Sequence, residues 1–172
     1  MIAERLSLSQ VNALDRTAFV SQIGWVYEHS PWVAEEAWEH RPFATIEDLH
    51  AAMERVVELA PPERKLALIL AHPDLAGGLA KASELTNASR SEQAGAGLNH
   101  LTAAQTEQMR HHNALYREKF GFPFILCARL NNTGTILDAF AKRLENSRRQ
   151  EIVVALEEIS KIGRLRLEGA LS

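Results

Sequence analysis

Cysteine is nearly missing from this chain: Cys127 is the single one in 172 residues, so no disulfide closes within it, and a reducing compartment fits. It stands in the apolar run Phe124-Ile125-Leu126-Cys127-Ala128 and is expected as a buried small hydrophobe. No stretch of eighteen apolar residues occurs, which leaves no transmembrane candidate. Met1–Gln10 carries Glu4 and Arg5 where a secretory signal would be uninterruptedly apolar. The ending Ala170-Leu171-Ser172 is not the Ser-Lys-Leu peroxisomal address. A soluble, cytoplasmic protein is the expectation. A large basic block is lacking too: the net charge is -3 and the pI about 6.2, which argues against a nucleic-acid partner. The densest cationic cluster, Arg143 to Arg149, is interrupted by Glu145 and followed by Glu151, and reads as a solvated face. There is no glycine-rich phosphate loop, nucleophile elbow or cysteine and histidine ligand set. Glu107 and His111 stand four apart, but no third ligand has a recognisable spacing, so a surface pair and no metal is expected.

What is present is helical periodicity, cut by capping signals. With 46% hydrophobic and 24% charged residues, the chain suffices for one core. Phe19, Ile23 and Val26 recur at helical spacing after Asp15, and Ser30-Pro31 resembles a cap with proline at the first helical position. Thr45 with Asp48 predicts a capping box opening a helix that buries Leu49, Ala52, Val56 and Leu59 and stops at Pro61. Pro62 begins an apolar segment that ends at His72, because a residue before proline avoids the helical region. Thr102 with Gln105 predicts a helix through Met109, Asn113 and Tyr116 to Phe120, which Gly121 and Pro123 break. Phe122–Leu130 is expected as extended chain or short helix, with helices over Thr135–Leu144 and Ser147–Leu171 to follow. The expected fold is all-α: one compact domain over 1–172, of roughly eight helices. Trp25, Trp32 and Trp38 are expected as core or interface anchors.

The chemistry gathers around the loop after the Pro62 segment. His72 brings an imidazole, whose unperturbed pKa lies near neutrality, and stands beside the rigid Pro73. Beyond a loop holding Gly77-Gly78 come Ser89, Glu92 and Gln93, the first two at capping-box spacing, so that a carboxylate is expected in the first turn of a helix. Such a set can move protons on a small molecule, which points to an enzyme. Two readings of Ser89 and Glu92 stand together, since a helix N-terminus that they cap also offers amides to an anion. In the last helix Ile152, Leu156, Ile159 and Gly163 trace a stripe whose next member is Arg166, an arginine where the core should be. It is either an internal salt bridge, with Glu92 one candidate partner, or an anion clamp. The tripeptide His72-Pro73-Asp74 also has another meaning, as the loop by which co-chaperone domains engage a partner; a non-catalytic helical interaction module is therefore the alternative.

The fragments His72-Pro73-Asp74-Leu75-Ala76-Gly77 and Ser89 with Glu92-Gln93-Ala94-Gly95-Ala96-Gly97-Leu98 together resemble the 2-oxo-4-hydroxy-4-carboxy-5-ureidoimidazoline (OHCU) decarboxylase family. Ser30-Pro31-Trp32, Arg41-Pro42-Phe43, the segment Tyr116–Arg129, Lys161-Ile162 and Leu165-Arg166-Leu167 extend the resemblance over essentially the whole chain. The resemblance implies an all-α, commonly homodimeric, cofactor-independent carboxy-lyase of urate catabolism that yields (S)-allantoin. It implies catalytic roles for His72 and Glu92. It further implies substrate contacts from Pro73, Ser89, Gln93, Phe124, the backbone of Ile125, Leu126 and Cys127, and Arg166.

Overall fold

Hydrogen-bonding side chains at helix starts punctuate this chain as its sequence suggests. The computed structural model describes residues 5–76 and 85–172, and the Gly77-Gly78 pair lies outside them. The described residues hold nine α-helices, three short 3₁₀ turns and no strand; one isolated bridge joins Leu6 to Leu171. The fold is all-α, as expected.

The chain divides into two compact units. The first takes in Met1–Ala71 and Ser160–Ser172. It contains α1 (Leu8–Ala13), α2 (Arg16–Ile23), α3 (Trp32–Ala37), α4 (Ile46–Leu59), α5 (Pro62–Leu70) and the last part of α9 (Arg148–Ala170). Helix α1, which the periodicity does not reveal, starts on a Ser7 and Gln10 capping box. Asp15 caps α2, and Thr45 with Asp48 forms the expected capping box of α4. Each such cap satisfies an amide that the helix itself leaves unpaired. Ser30 does not cap α3; its hydroxyl donates to the Glu28 carbonyl at 2.9 Å. Phe19, Ile23 and Val26 are buried as expected, and α4 buries Leu49, Met53, Val56 and Val57. Leu59 is 68% exposed, because it falls off that face in the final turn.

None of the three tryptophans lies in the core. Trp25 is exposed and Trp32 and Trp38 are half-buried, the last two covered by the guanidinium groups of Arg64 and Arg41 at 4.1 and 3.9 Å from the ring centres. A large amphipathic ring with an N–H to satisfy is as well served under an arginine as inside.

The second unit runs from His72 to Ile159 and contains α6 (Asn87–Gly95), α7 (Ala103–Phe120), α8 (Thr133–Arg143) and the first part of α9. Thr102 and Gln105 form the capping box of α7, and Gly121 ends that helix in the left-handed conformation at φ 77°. Met109, Asn113, Tyr116 and Phe120 form its buried stripe. They pack with Phe122, Phe124 and Phe140, Phe124 stacking on Phe140 at 3.8 Å. Residues 123–127 are extended and irregular, and Ala128–Leu130 forms a 3₁₀ turn, in agreement with the sequence.

Candidate functional site

The His72 segment is held from two sides. Helix α5 ends at Leu70, with Ala71 as its cap, since Pro73 keeps His72 out of the helical region. His72 is 6% exposed. The Asp74 carboxylate is fully buried and accepts twice from Nε of Arg117, at 2.9 and 3.1 Å, a pairing that meets most of the cost of burying it. From the same helix, Asn113 Nδ2 donates to the Leu75 carbonyl at 2.7 Å. Gln93, on α6, grips the backbone with both ends of its amide: Oε1 accepts from Ala76 N–H at 3.1 Å and Nε2 donates to the Asp74 carbonyl at 3.3 Å. Ala76 is thereby held at φ 46°, a conformation that a Cβ disfavours. Two amide side chains and a salt bridge thus hold residues 74–76 together.

Helix α6 begins earlier than its sequence suggests. Thr86, not Ser89, is its N-cap and accepts from the Ser89 amide at 3.2 Å. Ser89 is therefore the third helical residue and Glu92 stands in the second turn, so the capping-box reading of that pair is corrected. The serine-to-glutamate spacing of three fits a shared helix face as well as it fits a cap. On that face Ser89 is buried, Glu92 half-buried and Gln93 buried.

The third element is the apolar segment Phe124–Cys127. All four residues are buried, Cys127 among them as expected. The Arg143 guanidinium lies over the Phe124 ring at 4.2 Å and donates to the Ile125 carbonyl at 2.5 Å. Burial pushes the Cys127 thiol above its ordinary pKa, and the charges of Glu158 and Glu92 push it the same way. Glu92 is thus electrostatically close to this segment, and α6 packs on the Ala128–Leu130 turn that follows it.

The solvated-face reading of Arg143 and Glu151 is overturned. Glu151 is fully buried and Arg143 is 7% exposed. Nε of Arg143 donates to Glu151 Oε1 at 2.8 Å, the Tyr116 hydroxyl donates to the same oxygen at 2.6 Å, and Asn146 donates to the other at 3.1 Å. Burial and that carboxylate hold the Tyr116 phenol well above its usual range. The Glu107 carboxylate, by contrast, is exposed and taken by Arg110, at 2.6 Å.

In the first unit Arg166 is 4% exposed, which bears out the inward arginine. Its salt bridge is made with Glu28: Nη1 lies 2.8 Å from Oε2, and the same nitrogen donates to the Val26 carbonyl at 3.3 Å. Glu28 carries no sequence signal, being one acid on an otherwise ordinary loop. Gly163, one turn earlier on α9, leaves room for Tyr27, since a Cβ there would lie 3.2 Å from the tyrosine ring.

Sequence reasoning missed Asp74, Asn113, Arg117, Arg143, Glu151 and Glu158 as parts of this architecture. Asn113 was legible as a polar member of a buried stripe, and Asp74 as the third residue of its tripeptide.

The fold is that of a solved structure described as (S)-allantoin synthase, which matches with a TM-score of 0.78 and 31% identity over 96% of this chain. The chain spans about half of that longer one, covering 54% of it. The family model described as OHCU decarboxylase matches residues 12–168, and the chain belongs to that family. A 2-oxo-4-hydroxy-4-carboxy-5-ureidoimidazoline decarboxylase of Haloferax volcanii is 44% identical over 94% of this chain and 94% of its own length. A protein of the same name from Amia calva is 43% identical over 95% of this chain and 93% of its own length.

Proposed function

We propose that this protein decarboxylates 2-oxo-4-hydroxy-4-carboxy-5-ureidoimidazoline to (S)-allantoin in urate catabolism, without a cofactor, and that residues 1–172 act as one functional domain. The observation that carries this reading is the family match over residues 12–168. The interaction-module alternative is disfavoured by burial: a docking tripeptide must meet its partner, whereas here the Asp74 carboxylate is spent on Arg117 and His72 is 6% exposed.

The substrate is its own electron sink. When the bond from C4 to the carboxylate breaks and carbon dioxide leaves, the electron pair enters the adjacent C5=N system. The ring nitrogen that receives the pair takes a proton from solvent, the C4 hydroxyl gives up its proton to become a carbonyl, and C5 gains a proton on one face. His72 handles the hydroxyl proton, as an imidazole, whose ring nitrogens can both take up and give back a proton, seated beside a rigid proline. Glu92 orients the ureido and ring nitrogens and crowds the departing carboxylate, with Ser89 beside it on the helix face. Pro73, Phe124 and the backbone of Ile125, Leu126 and Cys127 line the substrate, and Arg166 holds its polar substituents. Gln93 serves chiefly through the loop, because its amide is bonded to the backbone of Asp74 and Ala76.

A cytoplasmic homodimer belongs to the same proposal. Among the described residues no helix is long and apolar enough to cross a membrane. Light scattering of the purified protein tests the dimer: about twice the 19.2 kDa of one chain is expected, and the mass of a single chain would refute it. The activity is tested by circular dichroism of freshly generated substrate. One allantoin enantiomer should form faster than in buffer; unchanged racemic decay would refute the reading.

A further inference from the structure

The segment 125–127 is fixed by two buried charges that no part of the mechanism uses. Arg143 Nη1 donates to the Ile125 carbonyl at 2.5 Å, and Glu158 Oε2 accepts from the Cys127 amide at 3.0 Å. Asn131 Nδ2 and the Leu130 amide then hold the Cys127 carbonyl, at 2.9 and 3.1 Å. Glu158 is 8% and Arg143 7% exposed, so each carries a desolvation cost that a main-chain bond helps to offset.

The geometry of the peptide unit gives these bonds a consequence. In a trans peptide the carbonyl and the amide hydrogen point to opposite sides. Fixing the Ile125 carbonyl on Arg143 turns the Leu126 amide away from Arg143. Fixing the Cys127 amide on Glu158 turns the Leu126 carbonyl away from Glu158. Leu126 therefore presents one donor and one acceptor, and among the described residues neither has a protein hydrogen-bond partner. Such a pair suits a ureido or imidazoline edge, where N–H and C=O alternate.

We propose that Glu158 and Arg143 are positioning residues, which lock the peptide planes of Ile125–Cys127 so that the Leu126 main chain meets the polar edge of the substrate. This rests on the decarboxylase reading and goes beyond it, since it gives a role to two residues to which that reading assigns none. Both act by preorganisation: a backbone donor that must be reoriented on binding costs affinity.

The test uses Glu158→Met, which keeps the volume and removes the acceptor, and Glu158→Gln, which restores an oxygen. Steady-state kinetics are followed by circular dichroism, and hydrogen exchange is measured at the Cys127 amide. Glu158→Met should raise KM by about tenfold with a smaller change in kcat, and should speed Cys127 exchange; Glu158→Gln should bring KM back to within about threefold of wild type. A folded Glu158→Met protein with wild-type KM and unchanged Cys127 exchange overturns the lock. Should Glu158→Met fail to fold, Arg143→Lys carries the test, because an ammonium lacks the planar fork by which Nε meets Glu151 while Nη1 meets the Ile125 carbonyl. A KM raised about tenfold supports the lock there and a wild-type KM overturns it. Absence of turnover in the wild type would sink the decarboxylase reading instead, and Cys127 exchange in Glu158→Met would then decide the lock alone.

Discussion

Arg143 and Arg166 are both inward-pointing arginines with a buried carboxylate partner, yet one was legible and the other was not. Arg166 interrupts a stripe that four earlier residues of α9 had established, so its misfit shows in the pattern. Arg143 closes α8 among Lys142, Glu145 and Arg148, where charge surrounded by charge looks solvated. Only packing reveals that the last turn of α8 faces Glu151 and Tyr116. Periodicity exposes a buried charge when the helix around it is apolar, and conceals one near a polar helix end.

Their surroundings separate their expected roles. Arg143 is committed to Glu151, the Ile125 carbonyl and the Phe124 ring, all within the protein. Replacing it by alanine leaves the fully buried Glu151 carboxylate without its counter-charge, and should cost about 3–5 kcal/mol in urea-induced unfolding. Arg166→Lys sharpens the contrast, since a lysine can still neutralise Glu28 but lacks the planar fork. A higher KM with little loss of thermal stability is expected; lower stability with normal kinetics would make Arg166 a structural partner of Glu28 alone.

The same contrast can be drawn more weakly elsewhere. Asp74→Asn keeps the shape of the His72 loop but removes its charge from Arg117, itself 32% exposed, and should cost about 2 kcal/mol on thermal unfolding. Tyr27→Phe is the smallest: the Tyr27 hydroxyl is buried without a hydrogen-bond partner among the described residues, so its removal should change stability by about 0–1 kcal/mol, toward greater stability. A marked loss would show that the hydroxyl has a partner, such as a bound water.

Much of the helical framework was legible because its signals are local. Thr45 with Asp48 and Thr102 with Gln105 cap where their spacing says, and the Met109 to Phe120 stripe is buried as read. Ser89 with Glu92 misled because Thr86, three residues before Ser89, supplies the cap, and the sequence around both positions is polar. For the candidate site, the His72 loop and the α6 residues were readable as chemistry. Their bracing by Arg117, Asn113, Arg143 and Glu158 was not, since each acts on a group distant in sequence, Arg117 on the Asp74 carboxylate and the other three on backbone.

The central claim is that the imidazole of the loop braced by Asp74 and Gln93 handles a proton of the substrate. It is tested most directly by comparing His72→Ala with wild type in the circular dichroism assay, with folding checked by thermal melting. The account predicts a native-like melt and a loss of at least about 10² in kcat; a folded His72→Ala protein forming (S)-allantoin at the wild-type rate would contradict it.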